Sequence, residues 1–470
     1  MPTRTVDVAV LGAGTAGLAA YRAARDEGKE VVIIDPGPLG TTCARVGCMP
    51  SKLLIAAAHA ARDAREAHRF GADVEREPQV DAAALFERVR RERDRFVGFT
   101  MESYESIPDA DFYREPAQFQ QDGTLVSGDA VIDARAVVIA VGSRPRQLGF
   151  LHRSGVRIQT SDDVFEWTSL PGSVALFGPG VVGLEIGFAL AHLGVDVVTF
   201  GKDGLIGPLT DPGVKKAAVQ AAEGLLLLDL DSDVSSIAPS DDGEGAVLTY
   251  QCNGEQVTRR FDVVIEAVGR IPNTDKLNLE ALGDLDLDDV DPRTAQLGAT
   301  HLFIAGDAND HRPLLHEAVD SGRIAGRNAA HWPDVDFHPR RSALSIVFTD
   351  PDIALIGSRW QELDADDVVV GEVSFANQGR ARTELRNHGR LHVYADRKTG
   401  RLLGAEMCAP AGEHIAHLLA WCHQQQLTIE QMLEMPFYHP VVEEGLKTAL
   451  RDAQTKLSQT ADRLLAKEPA

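Results

Sequence analysis

A chain of 470 residues, 44% hydrophobic and 25% charged, has the composition of a soluble globular protein, and its length suggests roughly two to four domains. Its 70 acidic residues against 47 basic ones give a net charge of −23, which opposes binding to nucleic acid or to an anionic membrane surface. The N-terminus runs directly into an apolar strand pattern without a signal peptide, no apolar stretch reaches membrane-spanning length, and five cysteines in so long a chain describe a reducing compartment, so a cytoplasmic protein is expected.

Val6 to Leu11 is an apolar, β-rich run followed at once by Gly12-Ala13-Gly14-Thr15-Ala16-Gly17. An Ala-rich helical pattern continues to about Glu27, Gly28 ends it, and Val31 to Ile34 reads as a second buried strand closing on Asp35. This is the strand–GxGxxG–helix–strand–acid order of a dinucleotide fold. Its glycines let a pyrophosphate approach the helix N-terminus, and the acid takes a ribose hydroxyl.

Two of the five cysteines follow in Gly40-Thr41-Thr42-Cys43-Ala44-Arg45-Val46-Gly47-Cys48-Met49-Pro50-Ser51-Lys52. On a regular helix, residues five apart point roughly 140° away from each other. If Cys43 and Cys48 pair, the backbone between them is distorted, and Gly47 supplies the freedom. Cys48 would then stand near the N-terminus of the next helix, where a thiolate is favoured. Spacing alone leaves two buried structural thiols or half of a zinc site open, although a second ligand pair for zinc is missing.

Helices are expected from about Lys52 to His68 and from about Asp81 to Ser103. The second carries Arg88, Arg90, Arg91, Arg93 and Arg95 among Glu87, Glu92 and Asp94, a solvated mixed-charge face. Short strands with turns fill 112 to 136, and the strand Ala136 to Val141 exits through Gly142-Ser143-Arg144-Pro145.

A second nucleotide unit opens at Ser173: the strand Val174 to Phe177, then Gly178-Pro179-Gly180-Val181-Val182-Gly183, a helix to His192, and the strand Val195 to Phe200. Two such units imply two dinucleotides, or a duplicated scaffold with one degenerate site. The acid expected after this second strand is absent, because Gly201-Lys202 stands there. Lys202 can neutralise a 2′-phosphate, or can be a plain surface residue; the former favours NADP(H).

Val263 to Val268 leads to a second exit, Gly269-Arg270-Ile271-Pro272-Asn273, and Thr300 to Ala308 gives another buried strand ending in Gly306-Asp307. Beyond Arg341 the pattern becomes α+β, with strands at 368 to 376 and 390 to 396 and helices from Gly412. Pro436-Phe437-Tyr438-His439-Pro440-Val441-Val442-Glu443-Glu444 stands near its end. A lone histidine commonly has a structural role, but thiol–disulfide exchange needs a proton acceptor, and a histidine held by a carboxylate serves as one. None of the 15 histidines shows ligand spacing, so no metal is expected. Cys252, Cys408 and Cys422 read as isolated apolar residues.

Together these motifs resemble, over nearly the whole chain, the class I pyridine nucleotide–disulfide oxidoreductases that bind FAD, with a Pro-Ser-Lys ending typical of dihydrolipoamide dehydrogenases. The resemblance implies an α/β fold of two Rossmann-like dinucleotide-binding domains, for FAD and NAD(P), and a C-terminal α+β dimerisation domain. The boundaries would be 1–148 for FAD with the redox disulfide, 149–270 for NAD(P), 271–340 completing the FAD domain, and 341–470 for dimerisation. It implies that Gly12, Gly14, Gly17, Asp35, Thr42, Lys52, Ala117, Gly142, Gly306 and Asp307 serve FAD. Gly178, Gly180, Gly183, Lys202 and Gly269 would serve NADP(H) or NAD(H). Cys43 would be the interchange thiol and Cys48 the thiol against the flavin. Lys52 and Glu185 would form an ion pair, and His439, oriented by Glu444, would act on the disulfide of the other subunit of a homodimer.

The implied activity moves electrons between NAD(P)H, flavin, the Cys43–Cys48 disulfide and an external small-molecule or protein-bound lipoyl disulfide. The pattern departs from NAD-dependent lipoamide dehydrogenases at Gly201, at Phe437 in place of the first His of His-x-His-Pro, and at Val441 in place of its Thr. Mercuric reductase is disfavoured because no cysteine lies beyond Cys422, and a soluble transhydrogenase because both active-site cysteines are present. The alternatives are a glutathione-type reductase, with Arg22 binding an acidic substrate, and a non-catalytic FAD-binding dimeric scaffold.

Overall fold

The computed structural model describes residues 3–73, 79–252, 254–309 and 311–465. The chain gathers into two units, the first made of residues 1–53, 86–146 and 269–340 and the second of 54–85, 147–268 and 341–470.

A seven-stranded sheet underlies the first unit. From one edge it runs Phe112–Tyr113, Val31–Ile34, Thr3–Leu11, Ala130–Ile139, Leu125–Ser127 and Ala117–Phe119, with Leu302–Ile304 also paired to Ala130–Ile139. The inner strands are parallel, in a register that sets Val10 opposite both Ile33 and Val138. Such strands are covered on both faces, so they are apolar throughout instead of alternating. Val8, Val10, Ile33 and Val138 face one core with Leu18, Tyr21 and Ile324, whereas Ala9, Leu11, Val32 and Ile139 face another with Phe119 and Leu125. Full burial of each large apolar side chain contributes about 1.5–3 kcal/mol.

Two helices, Thr15–Asp26 and Leu315–His331, cover the first of these cores. They cross with their backbones in contact. A Cβ on Gly322 would lie 2.3 Å from the carbonyl oxygen of Ala16, and one on Gly326 2.2 Å from that of Ala20. Any side chain at these two positions forces the helices apart.

The second unit carries a parallel five-stranded sheet in the order Leu227–Asp229, Asp196–Phe200, Ser173–Phe177, Val263–Glu266 and Ile158–Thr160. A three-stranded antiparallel sheet, Val234–Pro239, Ala246–Cys252 and Glu255–Phe261, adds to its core through Leu248, Tyr250 and Phe261. The C-terminal part is a five-stranded antiparallel sheet, Leu344–Val347, Asp352–Gly357, Leu402–Ala409, Arg390–Asp396 and Val368–Ser374. The long helix Glu444–Leu465 packs on it so closely that a Cβ on Gly371 would sit 2.3 Å from the Ala449 carbonyl oxygen. The fold is therefore the α/β arrangement expected, two nucleotide-type sheets and an α+β C-terminal part. No helix among the described residues is long and apolar enough to cross a membrane.

Several features differ from the sequence reading, among them the strands Leu344–Val347, Asp352–Gly357 and Leu402–Ala409, for which none was expected. The helix expected from Lys52 begins at Cys48, because Pro50 falls in its first turn, where the backbone N–H has no intrahelical acceptor and proline costs nothing. The strand Leu402–Ala409 has no alternating pattern because it is central and buried throughout all but one residue. Its Glu406 is fully buried, and its carboxylate accepts from the backbone N–H of Thr210, Asp211 and Trp360 and from the Thr210 hydroxyl.

Candidate active site

The first glycine turn is shaped by chain packing at its ends and left open in its middle. Gly12 has φ +99°, and a Cβ there would meet the Ala140 carbonyl oxygen at 2.4 Å; one on Gly17 would meet the Gly12 oxygen at 1.8 Å. Around Gly14, at the N-terminus of the helix Thr15–Asp26, nothing lies within 4 Å of that position. The second turn repeats this construction: Gly178 and Gly183 are pinned against Ala267 and Gly178, and Gly180 is open at the N-terminus of the helix Val181–His192. Each open glycine leaves room for a pyrophosphate against helix N–H groups, so the residues present fit both dinucleotides.

The turns differ at the end of the following strand. Asp35 accepts from the backbone N–H of Ala13 at 2.6 Å and of Gly37 at 2.7 Å, one per carboxylate oxygen. Each oxygen keeps a second lone pair for a ribose hydroxyl. Gly201 in the second turn donates its N–H to the Asp229 carbonyl at 2.6 Å and to the Ser232 hydroxyl at 2.9 Å. A Cβ there would meet Pro179 Cγ at 2.8 Å and Leu230 Cα at 3.0 Å, so an acid cannot simply be inserted. Lys202, the next residue, is exposed.

Asp307 accepts from the Ser143 hydroxyl at 2.8 Å, and Arg270 donates to both the hydroxyl and the carbonyl of Ser143, each at 2.8 Å. The two exits Ser143–Pro145 and Arg270–Pro272 pair as an antiparallel ribbon, which is what brings these groups together. Gly142 accepts from the Asn273 N–H at 3.0 Å. Sequence reasoning gave Ser143 and Arg270 no role; the signal was the paired Gly-Ser-Arg-Pro and Gly-Arg-Ile-Pro exits. Tyr104 was also missed. Its buried hydroxyl donates to the Ala13 carbonyl at 2.8 Å and accepts from the Gly40 N–H at 3.3 Å, tying the glycine turn to the cysteine segment. Ala117 lies buried in an edge strand of the same sheet.

Cys43 sits in the short helix Thr42–Val46, capped by the Thr41 hydroxyl, which accepts from Ala44 N–H at 3.3 Å. Gly47 interrupts it. A Cβ there would lie 3.1 Å from the Thr42 carbonyl oxygen and 3.2 Å from Cys43 Cα, so a side chain would have to push its neighbours back by a few tenths of an ångström and glycine suits this tight fold-back. The chain then restarts as the helix Cys48–Glu66, and the two side chains meet across the break. A hydrogen bond with Cys48, followed by burial, raises the Cys43 thiol well above an ordinary thiol's pKa. Ser51 donates its hydroxyl to the Cys48 carbonyl at 3.1 Å, and Lys52 reaches the Ser51 hydroxyl at 3.4 Å.

Cys43 lines a cleft of about 550 Å³, together with Met49, Phe96 and Phe99. Three exposed arginines share its wall: Arg22 from the helix Thr15–Asp26, and Arg323 and Arg327 from Leu315–His331. The glycine-mediated crossing of these helices assembles this basic wall. Arg22 was singled out in the sequence; its two companions, three hundred residues away, had no local signature.

In the second unit, His439 Nδ1 lies 3.1 and 3.0 Å from the two carboxylate oxygens of Glu444. An ionised carboxylate only accepts, so Nδ1 carries the hydrogen and Nε2 is left as the proton acceptor. Glu444 opens the helix Glu444–Leu465, and its carboxylate is held below the usual range, first by the His439 hydrogen bond. Glu185 is buried in this unit and accepts from the Phe348 N–H at 3.3 Å, whereas Lys52 belongs to the first unit. Phe437 is half-buried beneath the Lys447 ammonium, 5.4 Å from its ring centre. No cluster of three or more His, Cys, Asp or Glu side chains suited to a metal occurs among the described residues.

Residues 6–322 match the family model described as pyridine nucleotide-disulphide oxidoreductase, and residues 344–450 match that family's dimerisation domain. A dihydrolipoyl dehydrogenase of Haloferax volcanii is 29% identical, covering 97% of this chain and 98% of that one. A mercuric reductase of Shigella flexneri is 28% identical over 96% of this chain and 81% of its own length. Among solved structures, the LpdA protein of Mycobacterium tuberculosis superposes with a TM-score of 0.77 at 23% identity, covering 95% of this chain and 99% of that one. The HOCl-induced flavoprotein disulfide reductase RclA of Escherichia coli, as its Cu(II) complex, gives 0.79 at 19% identity, covering 96% and 99%.

Proposed function

Since the chain belongs to the pyridine nucleotide-disulphide oxidoreductases, enzymes that use FAD and NAD(P)H and act on a sulfur group, we propose that it exchanges electrons with an external disulfide or dithiol at Cys43, in the manner of a dihydrolipoyl dehydrogenase. The observation that carries this reading is the apposition of Cys43 and Cys48 across Gly47, with Cys43 on the wall of an open cleft.

In the reductive direction the Cys43 thiolate attacks one sulfur of the substrate disulfide, the S–S bond breaks, and the departing thiolate takes a proton held by His439. The Cys48 thiolate then attacks the Cys43 sulfur of the mixed disulfide, closing the Cys43–Cys48 bond and releasing the second substrate sulfur as a thiolate, which water protonates. The position of Cys48 as first residue of a helix favours its thiolate form. Bound FAD supplies the two-electron relay between the nicotinamide coenzyme and this cysteine pair. Gly12, Gly14, Gly17, Asp35, Thr42, Lys52, Ala117, Gly142, Gly306 and Asp307 would hold it, with Ser143 and Arg270 orienting Asp307. Gly178, Gly180, Gly183, Lys202 and Gly269 would hold the coenzyme, and the crowded Gly201 beside an exposed Lys202 supports NADPH. Lys52 would pair with Glu185. His439, exposed and oriented by Glu444, would serve the cysteine pair of a second copy, which makes the working unit a cytoplasmic homodimer.

The three arginines favour a second reading. None of Arg22, Arg323 and Arg327 forms an ion pair with a carboxylate among the described residues, and a basic wall beside Cys43 suits an anionic low-molecular-weight disulfide of the glutathione type. Steady-state assays with lipoamide, lipoic acid and glutathione disulfide, each with NADH and NADPH, separate the two. Turnover of lipoamide supports the first reading and selective turnover of the anionic disulfides the second. An FAD-loaded protein that reduces none of them is the non-catalytic scaffold.

A further inference from the structure

A second cleft, of about 340 Å³, lies wholly within the second unit, and neither His439 nor a glycine of the second nucleotide turn is among the residues that line it. One face of the helix Cys48–Glu66 and the turn that follows supplies Arg62, Arg65, Glu66 and Arg69, and the loop before Arg390 supplies Arg386 and His388. Four guanidiniums thus meet three carboxylates, Glu66, Glu223 and Asp350, on the wall of a protein whose net charge is −23. Two of those carboxylates are already taken. Asp350 accepts from Arg62 and, at 2.9 Å, from Arg386, and Glu66 lies 3.3 Å from Arg69. Arg62 and Arg386 are further balanced by Asp63, whereas Arg65 donates to the His192 backbone carbonyl and to no carboxylate among the described residues. His192 itself is 7% exposed and lines the cleft, and its Nε2 has no hydrogen-bond partner among the described residues. The nearest carboxylate oxygen, on Asp350, is 3.6 Å away, beyond hydrogen-bond reach.

A buried imidazole nitrogen without a partner, beside a guanidinium without a carboxylate, is a polar arrangement left incomplete. A latch between helix and loop would need neither the open volume nor the spare donors. We propose that this cleft is a binding site for a phosphoryl-bearing metabolite, its phosphate oxygens taken by Arg65 and Arg69 with the His192 imidazole donating from the wall. Arginine's planar fork suits such an oxyanion, and the volume admits more than a bare phosphate group. The site is separate from the residues proposed for chemistry, so its occupant is an effector or a structural ligand, not the substrate.

Isothermal titration calorimetry of the FAD-loaded enzyme in phosphate-free, low-salt buffer tests this with inorganic phosphate and with adenosine 5′-monophosphate. Saturable binding of either is expected, phosphate alone identifying a free-phosphate site and the monophosphate binding more tightly identifying a nucleotide-type ligand. Arg69→Ala, at an exposed position, and Arg65→Ala should each weaken it about ten-fold or more, since hydrogen bonds to charged groups are of that strength. Saturating NADP+ should leave that binding unchanged, which separates it from the coenzyme site. Thermal melts and basal turnover equal to wild type show that the two arginine variants are folded. No saturable binding of either probe, or binding indifferent to both arginine variants, overturns the proposal.

Discussion

Cys43 and His439 are the two side chains to which the reaction is assigned, and the molecule presents them in opposite ways. Cys43 is half-buried in a one-turn helix, held by the Thr41 cap, the Gly47 break and its hydrogen bond with Cys48. His439 is 81% exposed, on a loop, with Glu444 as its only hydrogen-bonding partner among the described residues. A proton carrier that worked on its own chain's cysteines would be expected within an enclosed site. An oriented but uncovered imidazole is what a chain offers to a neighbour. The difference supports the proposal that the active site is assembled between two copies, the redox pair from one and the base from the other.

The strongest way to break the comparison is at the cysteines. Cys43→Ser should reduce disulfide turnover to background, whichever substrate is used, while FAD stays bound; turnover surviving that change would remove Cys43 from the chemistry. Next comes His439→Ala, expected to cost about 10²–10⁴-fold in kcat, the range for a positioned acid–base group. An Ala variant within a few-fold of wild type would leave His439 a surface residue. Lys202→Glu should cost about 1–3 kcal/mol in kcat/KM with NADPH, one charge-assisted contact, and spare NADH. Equal losses with both coenzymes would point to misfolding instead of lost phosphate recognition.

Gly201→Ala sharpens the contrast between the two turns. The new Cβ meets Pro179 and Leu230, so a loss of about 1–3 kcal/mol in unfolding free energy, read from denaturant melts, is expected from overpacking, whereas Gly14→Ala, in open space, should cost little stability but weaken FAD binding. The smallest effect concerns the hook formed by the Glu444 carboxylate on His439 Nδ1. The Glu444 carboxylate is depressed by His439, so the stabilisation it gives is present above the ordinary glutamate range and lost as pH falls through its lowered value. Ring-proton NMR of His439 should therefore show the hook releasing only at acid pH, and Glu444→Gln should abolish that transition.

Much of this was legible in the chain because the chemistry is local in sequence. The glycine turns, the Cys43–Cys48 spacing and the His439–Glu444 pair each lie within a short window whose residue types are fixed by backbone approach or by proton transfer. What was not legible is what long-range packing assembles. Ser143 and Arg270 meet Asp307 only because two exits pair as a ribbon. Arg323 and Arg327 join Arg22 only because Gly322 and Gly326 let two distant helices touch. The strand Leu402–Ala409 hid because its central position removes the alternation that announces strands, and because its buried Glu406 is satisfied by partners nearly two hundred residues away.

The central claim, that the site is shared between copies, is tested most directly by complementation. Cys43→Ser and His439→Ala homodimers should each be nearly inactive. Co-expressed with different affinity tags and isolated as the mixed dimer, they leave one of two equivalent sites with an intact cysteine pair from one chain and an intact His439 from the other. The account expects turnover per mixed dimer of about half the wild-type value, from that one complete site. A demonstrably mixed dimer that remains as inactive as its parents would mean that His439 serves its own chain's cysteines, or none, and would contradict it.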